Sequence, residues 1–342
     1  MVISNKDKLH LHPNTIFNDH IIDRVVTHKH LGITLSSDLK WTTHINNIAH
    51  SSSKRLDLMR GLKYKIDRKS LETIYKSFVR PCLEYGDCLW AGTYETELIK
   101  LDNVQVEAMR IVTGATAGSN INALYRETGW QPLCERRYFH SLTMLYKIIN
   151  GVAPVYLSDL LPPKVGEQTN RGLRNSNKYR VPFTRLETYR RSFFPKTLMD
   201  WNNLDRAIQD KNSLESFKSS FNKEKDPMIE LLYYGSRWPS VHHARIRMGC
   251  SKLNSHLCYN LHVLPSPYCS CGYEVEDPTH YFFFCSLFDM QRQNMIESLL
   301  RINNIDISLN TLLWGDANLS RQCNEEIFST VHLFITETAR FD

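Results

Sequence analysis

The chain of 342 residues contains no Asp-Asp pair, although 36 of its residues are acidic. Metal-dependent polymerases and many nucleases place carboxylates around two divalent ions about 4 Å apart, and their chains usually show paired acids on adjacent strands. The sequence also lacks a Walker phosphate-binding loop, a Gly-x-Ser-x-Gly nucleophile elbow and a His-Glu-x-x-His helix. These absences argue against phosphoryl transfer, serine hydrolysis and zinc peptidase chemistry by this sequence alone.

Long apolar segments are missing too. No run of 18 apolar residues occurs, and the first eight residues lack the apolar stretch of a signal peptide. The nine cysteines are odd in number, and six of them are scattered singly. This pattern is typical of free thiols in a reducing compartment. We therefore expect an intracellular protein of the nucleus and/or cytoplasm, without a membrane partner.

The remaining three cysteines stand close together with a histidine. Cys269 and Cys271 form a Cys-x-Cys pair followed by Gly272, and His280 and Cys285 flank an aromatic run. Four such donors meet the requirement of a closed tetrahedral zinc site. Prolines and glycine around them leave little helix or sheet, so the metal would supply the local ordering energy. The alternative is that the cysteines are buried small hydrophobic residues, since Cys-x-Cys is less usual than Cys-x2-Cys. We predict a structural zinc ion.

Positive charge is concentrated in one segment, although the net charge of the whole chain is only +6. Residues 164–196 contain nine basic and two acidic residues, a local net charge of +7, with tyrosines and phenylalanines between them. A surface of this mixture neutralises phosphates and stacks on bases, which predicts nucleic-acid contacts. A solvated basic linker would have the same composition. The predicted contacts in this segment are Arg171, Arg174, Lys178, Arg180, Arg185, Arg190 and Arg191.

Histidines are also concentrated, in the first thirty residues. They alternate with strand residues and lack acidic or cysteine neighbours, so we interpret them as surface or packing residues in preference to a metal site. They are His10, His12, His20, His28 and His30.

The apolar pattern is mainly helical after a short extended start. Residues 8–35 are short β-branched runs between Asn and Asp turns, which predicts a small β-hairpin or a three-stranded piece. Apolar residues at helical spacing predict helices over, for example, 95–112 and 133–149, and a final helix over about 324–339 with one apolar face. Asp67 is predicted to cap a further helix, which is bent or interrupted at Pro81. We therefore predict a mainly α fold with a small N-terminal β-hairpin, in which a helical domain precedes a smaller helical domain containing the zinc knuckle.

Short phrases along the chain carry a family resemblance. They include His-Lys-His-Leu-Gly-Ile-Thr-Leu at 28–35, Leu-Lys-Trp-Thr-Thr-His-Ile at 39–45, Ile-Tyr-Lys-Ser-Phe-Val-Arg-Pro at 74–81, Leu-Tyr-Arg-Glu-Thr-Gly-Trp at 124–130, Trp-Asn-Asn-Leu at 201–204 and the terminal Cys-x-Cys-Gly. In this order they resemble the region after the polymerase palm in reverse transcriptases of non-LTR (LINE-type) retrotransposons, especially jockey-like elements. The resemblance implies the end of the palm, the thumb and a zinc-binding tail.

The resemblance also implies roles for individual residues. Leu31, Gly32 and Ile33 look like the tip of the primer-grip hairpin, where glycine lets the backbone approach a strand closely. The helices over about 41–113 look like the thumb, which holds the primer-template duplex through phosphate contacts. The cations that match this thumb are Lys54, Arg55, Arg60, Lys63 and Lys65, and those that precede the zinc region include Arg237, His242, His243, Arg245 and Arg247.

These roles divide the chain into predicted parts. They are a palm remnant with the primer-grip-like hairpin (1–37), a thumb-like helical domain (38–163), a basic linker or loop (164–191), a helical connector (192–226) and a zinc-binding domain (227–342).

The sequence departs from the family pattern in its front half. The endonuclease, the fingers and the Tyr/Phe-x-Asp-Asp turn that binds catalytic magnesium would lie upstream of Met1, so magnesium belongs only to the missing palm. We expect a C-terminal fragment that binds RNA and/or DNA, as template-primer or target, takes no small-molecule substrate and is not an enzyme as it stands. One alternative is a non-enzymatic helical interaction protein derived from a transposon remnant. Another is a polymerase that acts with a separately encoded palm.

Overall fold

A computed structural model describes residues 15–167, 175–222 and 226–342. Within these ranges the fold is mainly α with a small β start, so the predicted fold class is confirmed. The strands are β1 (Ile16–Phe17), β2 (His20–Ile21), β3 (Thr27–His30) and β4 (Ile33–Ser36). The α-helices are α1 (Thr42–Leu62), α2 (Arg68–Ile74), α3 (Arg80–Glu84), α4 (Asp87–Trp90), α5 (Glu95–Thr113), α6 (Ile121–Thr128), α7 (Leu133–Ile149), α8 (Val155–Ser158), α9 (Glu187–Arg190), α10 (Phe193–Asn202), α11 (Arg206–Gln209), α12 (Leu214–Ser219), α13 (Pro227–Leu231), α14 (Arg237–Arg247), α15 (Asp289–Leu299), α16 (Leu309–Trp314) and α17 (Arg321–Glu337).

Shorter helical turns complete the described secondary structure. The π-helical turns are Tyr75–Val79, His256–Asn260 and His280–Phe284, and the 3-10 turns are Val165–Glu167 and Ser286–Phe288. No helix in the described ranges combines the length and the apolar character needed to cross a membrane.

The four strands form two antiparallel hairpins, β1–β2 and β3–β4. In the second hairpin Leu31 and Gly32 form the two-residue turn, with φ angles of +45° and +83°. Positive φ at both positions gives the turn a twist that matches the strands, but it costs a non-glycine residue about 1–2 kcal/mol. The Tyr85 hydroxyl donates a hydrogen bond of 2.9 Å to the Leu31 carbonyl, and the Leu31 side chain is 78% exposed.

Local sequence signals explain where several helices begin and bend. The Asp67 carboxylate accepts a hydrogen bond of 2.9 Å from the Ser70 amide and caps α2, as predicted. The predicted interruption lies just before Pro81, at the π-helical turn Tyr75–Val79 that follows α2. Proline has no N–H to give to the carbonyl four residues earlier, so the helix changes its hydrogen-bonding there.

The chain contacts divide the structure into two compact units, each built from separated segments. The first unit comprises Met1–Lys54, Arg80–Val104 and Pro132–Lys223, and its described part packs α7 against α4, α10 and α12. The second unit comprises Arg55–Val79, Gln105–Gln131 and Glu224–Asp342. The predicted division of the chain into functional parts stays a prediction.

The basic segment of the first unit is anchored by one aromatic residue. Tyr179 is buried in the core formed by Leu145, Trp201 and Phe217. The Asn202 side chain accepts a hydrogen bond from the Tyr179 amide at 3.0 Å and donates one to its carbonyl at 2.8 Å. Tyr179 therefore fastens this part of the basic segment to α10. The prediction of a basic linker or loop did not include this contact.

The core of the second unit is built on the last helix. Ile327, Val331, Phe334 and Ile335 on α17 are all buried, as their helical spacing predicts. They pack with side chains from α14, α15 and the turn at His280–Phe284.

A buried cluster of charges joins the three segments of the second unit. Glu127, at the end of α6, has a fully buried carboxylate that pairs with Arg68 of α2 at 2.6 Å and with Arg247 of α14 at 2.7 Å. The two guanidinium groups also donate to the carbonyls of Leu232 and Leu313. Burial opposes ionisation of the carboxyl group, but the charges of Arg247 and Arg68 outweigh it and lower the pKa of Glu127.

We expect Glu127→Gln to lower the free energy of unfolding by about 3–5 kcal/mol, since it leaves two buried arginines without their counter-charge. Urea unfolding followed by circular dichroism measures this, with Glu337→Gln on the exposed face of α17 as the matched control. Because the folded pKa of Glu127 is depressed below 4.5, its contribution is present above that pH and is lost as the pH falls through the folded value. Equal stability of the two variants would contradict the proposed role of Glu127.

Candidate metal centre and nucleic-acid interface

Four donor atoms converge in the second unit. Cys269, Cys271, His280 and Cys285 each offer one atom, and these atoms all lie within 4.8 Å of one another. The Cys269 and Cys285 sulfurs are 3.7 Å apart, and the Cys271 sulfur is 3.3 Å from Nε2 of His280. Tetrahedral zinc with its usual bond lengths places two sulfurs about 3.8 Å apart and a sulfur and a nitrogen about 3.6 Å apart. The spacing of the four predicted ligands is therefore compatible with a zinc ion.

The first two cysteines lie in a tight backbone turn. The Gly272 amide donates to the Cys269 carbonyl at 3.0 Å, and the Cys269 amide donates to the Tyr273 carbonyl at 2.9 Å. Gly272 has a φ of +94°, a conformation that glycine adopts without steric cost. The turn therefore directs both thiols to one side, as the sequence predicted for a knuckle.

The other two donors lie at the ends of the π-helical turn. Asp277 accepts a hydrogen bond of 2.7 Å from the His280 amide and caps this turn. The Cys285 amide donates to the His280 carbonyl at 2.8 Å, and the guanidinium of Arg292 donates to the Cys285 carbonyl. Within the intervening aromatic run Tyr281 and Phe282 are buried in the core, which ties the metal ligands to the hydrophobic cluster.

The imidazole of His280 is oriented by stacking. The Tyr273 ring lies parallel to it, with the ring centroids 4.5 Å apart. Nε2 is directed at Cys271, whereas Nδ1 is buried and has no hydrogen-bond partner among the described residues. Stacking on Tyr273 thus orients the imidazole, a role that a hydrogen bond to the second ring nitrogen usually has in metal sites.

The cysteine thiols differ in how readily they lose a proton. Burial raises the pKa of Cys269 to about 12, and burial also raises the pKa of Cys285. For Cys271 burial acts in the same direction, but hydrogen bonds, the first of them to the Tyr273 backbone, outweigh it and lower its pKa. Since thiolates are the metal ligands, binding must release protons.

The donor set fits a structural zinc ion. Three thiols and one imidazole close the tetrahedron, so no position is left for water or substrate. The separation of 3.7 Å between the Cys269 and Cys285 sulfurs is far beyond the ~2.05 Å of a disulfide bond. Among the described residues no other group of three or more Cys, His, Asp or Glu side chains is arranged to hold a metal ion.

The predicted nucleic-acid contacts are distributed over both units. In the first unit Lys54, Lys178, Arg180 and Arg185 are exposed, and Arg190 and Arg191 both pair with Glu187. Arg171 and Arg174 lie outside the described residues, as do His10 and His12. In the second unit Lys65 is exposed, and the Arg55 guanidinium donates to the Phe78 carbonyl at 2.6 Å and lies over its ring.

The residues predicted just before the zinc region do not form one basic surface. The side chain of Arg247 is 1% exposed and paired with Glu127, so it cannot reach a phosphate. His242 and His243 are buried, and burial lowers the pKa of each, to about 4 for His242. Nε2 of His243 donates to the Leu312 carbonyl at 3.0 Å, so this histidine has a packing role.

The structure does bring four predicted cations together. Arg60, Lys63, Arg237 and Arg245 line one small cavity of the second unit, and Arg110 joins them. The sequence did not indicate Arg110, because nothing in the spacing of α5 relates its charge to residues in other helices.

We expect purified protein to contain about one zinc ion per chain by elemental analysis, and a Cys269→Ser, Cys271→Ser double variant to contain none, since two of four ligands are lost. Cys134→Ser, at an exposed cysteine of the first unit, is the control and keeps its zinc. Equal zinc in the double variant and the wild type would exclude the site.

We also expect zinc affinity, measured by competition with a chelator, to fall as the pH falls, by at least about tenfold per pH unit near neutrality, because the thiols must release protons. An affinity independent of pH would contradict ligation by Cys269, whose pKa burial raises to about 12.

Comparison with known proteins finds one informative relative. No family model matches the chain, and no solved structure matches it. A stretch of 106 residues, 30% of the chain, is 31% identical to the RNA-directed DNA polymerase from mobile element jockey of Drosophila melanogaster. The matched stretch covers 12% of that protein's length. This similarity supports a relationship to the reverse transcriptases of non-LTR retrotransposons.

Proposed function

We propose that the chain is the C-terminal part of a non-LTR retrotransposon RNA-directed DNA polymerase, that it binds RNA and/or DNA, and that it contains a structural zinc ion. The observation that carries the proposal is the 31% identity over 106 residues to the jockey polymerase. The arrangement of four metal donors near the C-terminus supports it independently, because the family resemblance implies a zinc-binding tail there.

Nucleic acid is held by exposed cations and by one turn of the backbone. Lys178, Arg180 and Arg185 follow one another along an anchored segment and are all exposed. Such side chains bind phosphates without reading sequence. The Leu31-Gly32 turn serves as the primer-grip-like tip, since it is held by Tyr85 and presents backbone at an exposed position.

Zinc has an organising role in this proposal. When bound, it would link the Cys269–Gly272 turn to the His280–Phe284 turn through four bonds. Asp277 and Arg292 hold the second of these turns in place through backbone groups of His280 and Cys285.

Polymerisation is not proposed for the chain by itself. Its sequence has no Asp-Asp pair to hold catalytic magnesium, so the chemistry belongs to a palm that this sequence does not include. Primer extension by the purified chain would overturn this part of the proposal. Extension only after addition of a palm fragment would favour a polymerase assembled from two chains.

The test of binding is fluorescence anisotropy with labelled single-stranded RNA and DNA over a range of salt concentrations. We expect the logarithm of affinity to fall linearly with the logarithm of salt concentration, with a slope of about −0.7 for each phosphate neutralised. Replacing Lys178, Arg180 and Arg185 together with glutamine would reduce the slope by about two.

The matched control removes three cations of the first unit that do not line the cavity of Lys178, with Lys40, Lys147 and Lys218 replaced by glutamine. This control has the same net charge as the test variant and keeps the wild-type slope. No binding by the wild type at about 50 mM salt would exclude nucleic-acid binding and favour a helical interaction protein.

A further inference from the structure

The cavity lined by cations in the second unit is formed by three helices. Its walls come from the end of α1, the end of α5 and the length of α14. The basic residues around it, here called the basic pocket, are Arg60, Lys63, Arg110, Arg237 and Arg245.

The charge of the basic pocket is strongly one-sided. Glu107 is the single acidic residue that lines it, against five cations. Glu107 accepts from Arg60 at 3.0 Å and from Arg110 at 3.5 Å, so its one charge is shared. Lys63 lies over the Tyr64 ring, and no carboxylate pairs with it among the described residues. Arg60 also pairs with Asp57, so among the described residues the cations of the pocket that have no paired carboxylate are Lys63, Arg237 and Arg245.

Two of these cations are fixed in position by the backbone. Arg237 donates through Nε to the Lys63 carbonyl at 3.0 Å and through Nη2 to the Ile111 carbonyl at 2.8 Å. Arg245 donates through Nε to the Gly114 carbonyl at 2.7 Å. The Ile111 and Gly114 carbonyls lie at the C-terminal end of α5, which is the negative end of the helix dipole and favours cations beside it. The guanidinium groups thus lose little conformational freedom when an anion binds.

Close packing of the cations has an electrostatic cost. Burial, together with the charges of Arg68 and Arg245, lowers the pKa of Arg237 to about 10. An anion between these groups would relieve their mutual repulsion.

The size of the cavity selects the kind of anion. Its volume is about 160 Å³. This is several times the ~30 Å³ that a water molecule occupies in the liquid, and it is well below the ~300 Å³ at which pockets begin to hold whole organic ligands. A phosphate group fits these limits, whereas a nucleoside does not.

We propose that the basic pocket binds a single phosphate group of a nucleic-acid strand, with Lys63 and Arg245 as its principal donors. The identity of the strand rests on the proposed function, but binding of phosphate itself does not. The pocket adds Arg110 and Arg237, on α5 and α14, to the cations at the end of α1.

The first test uses inorganic phosphate and the full chain, by isothermal titration at constant ionic strength. We expect one phosphate per chain, and Lys63→Gln to weaken it about tenfold, the effect of removing one charge-assisted hydrogen bond. Lys69→Gln is the matched control, because this lysine is exposed, lies on α2 six residues away and does not line the cavity.

Arg245→Gln is a second variant with the same expected loss, and circular dichroism verifies that it folds. The Lys63 side chain donates no hydrogen bond to the backbone among the described residues. Lys63→Gln therefore tests the pocket even if Arg245→Gln does not fold. Absence of phosphate binding by the wild type, or an equal loss in Lys63→Gln and Lys69→Gln, would overturn the proposal.

The second test uses a labelled single strand and separates this proposal from the proposed function. If the strand binds and Lys63→Gln weakens it about tenfold more than Lys69→Gln, the phosphate in the pocket belongs to the strand. If the strand binds but the two variants behave alike, the pocket assignment is wrong and the proposed function stands. If inorganic phosphate binds and no strand does, the proposed function fails and the pocket remains a phosphate site.

Discussion

The second unit depends on one carboxylate shared by two arginines. Glu127 is fully buried, and each of its ion pairs joins it to a helix from a different chain segment, Arg68 on α2 and Arg247 on α14. A buried charge is tolerated only when its partners are in place, so the three segments must come together at once. The carbonyls of Leu232 and Leu313 accept further N–H groups of the arginines, which extends the constraint to the chain around α13 and α16. One wall of the basic pocket is α14, which this cluster positions within the unit.

The metal centre is connected to the same unit through its aromatic residues. Tyr281 and Phe282 fill the core between ligands His280 and Cys285, so the hydrophobic cluster positions half of the donor set. The Cys-x-Cys turn has fewer anchors, although Arg340 pairs with Glu276 at 2.6 Å beside it. Zinc would therefore contribute most to the order of this turn.

The proposed nucleic-acid contacts and the zinc site differ in what specifies them. Metal ligands are set by a short sequence spacing, and the four predicted donors do converge. Whether a cationic side chain can reach a phosphate depends on the residues that pack around it in the folded chain. Arg247 was predicted as a contact but pairs with Glu127, and His243 was predicted to add charge, but it is buried and burial lowers its pKa well below the ordinary value. Neither set of neighbours is visible in the local sequence, since Glu127 lies 120 positions from Arg247, and Leu312, whose carbonyl contacts His243, lies 69 positions from it.

The sequence by itself determined the helical class, the N-terminal hairpin, the buried face of α17, the cap at Asp67 and the four metal donors. These features depend on interactions over a few residues or on one repeated spacing, which the order of side chains contains directly. Only the tertiary structure decided that Tyr179 anchors the basic segment, that Arg247 is internal, and that Lys63 and Arg245 share one pocket with Arg110 and Arg237. These features depend on which distant segments pack together. Only the packing of the helices decides whether a charged side chain is buried against a partner or stays accessible to an anion.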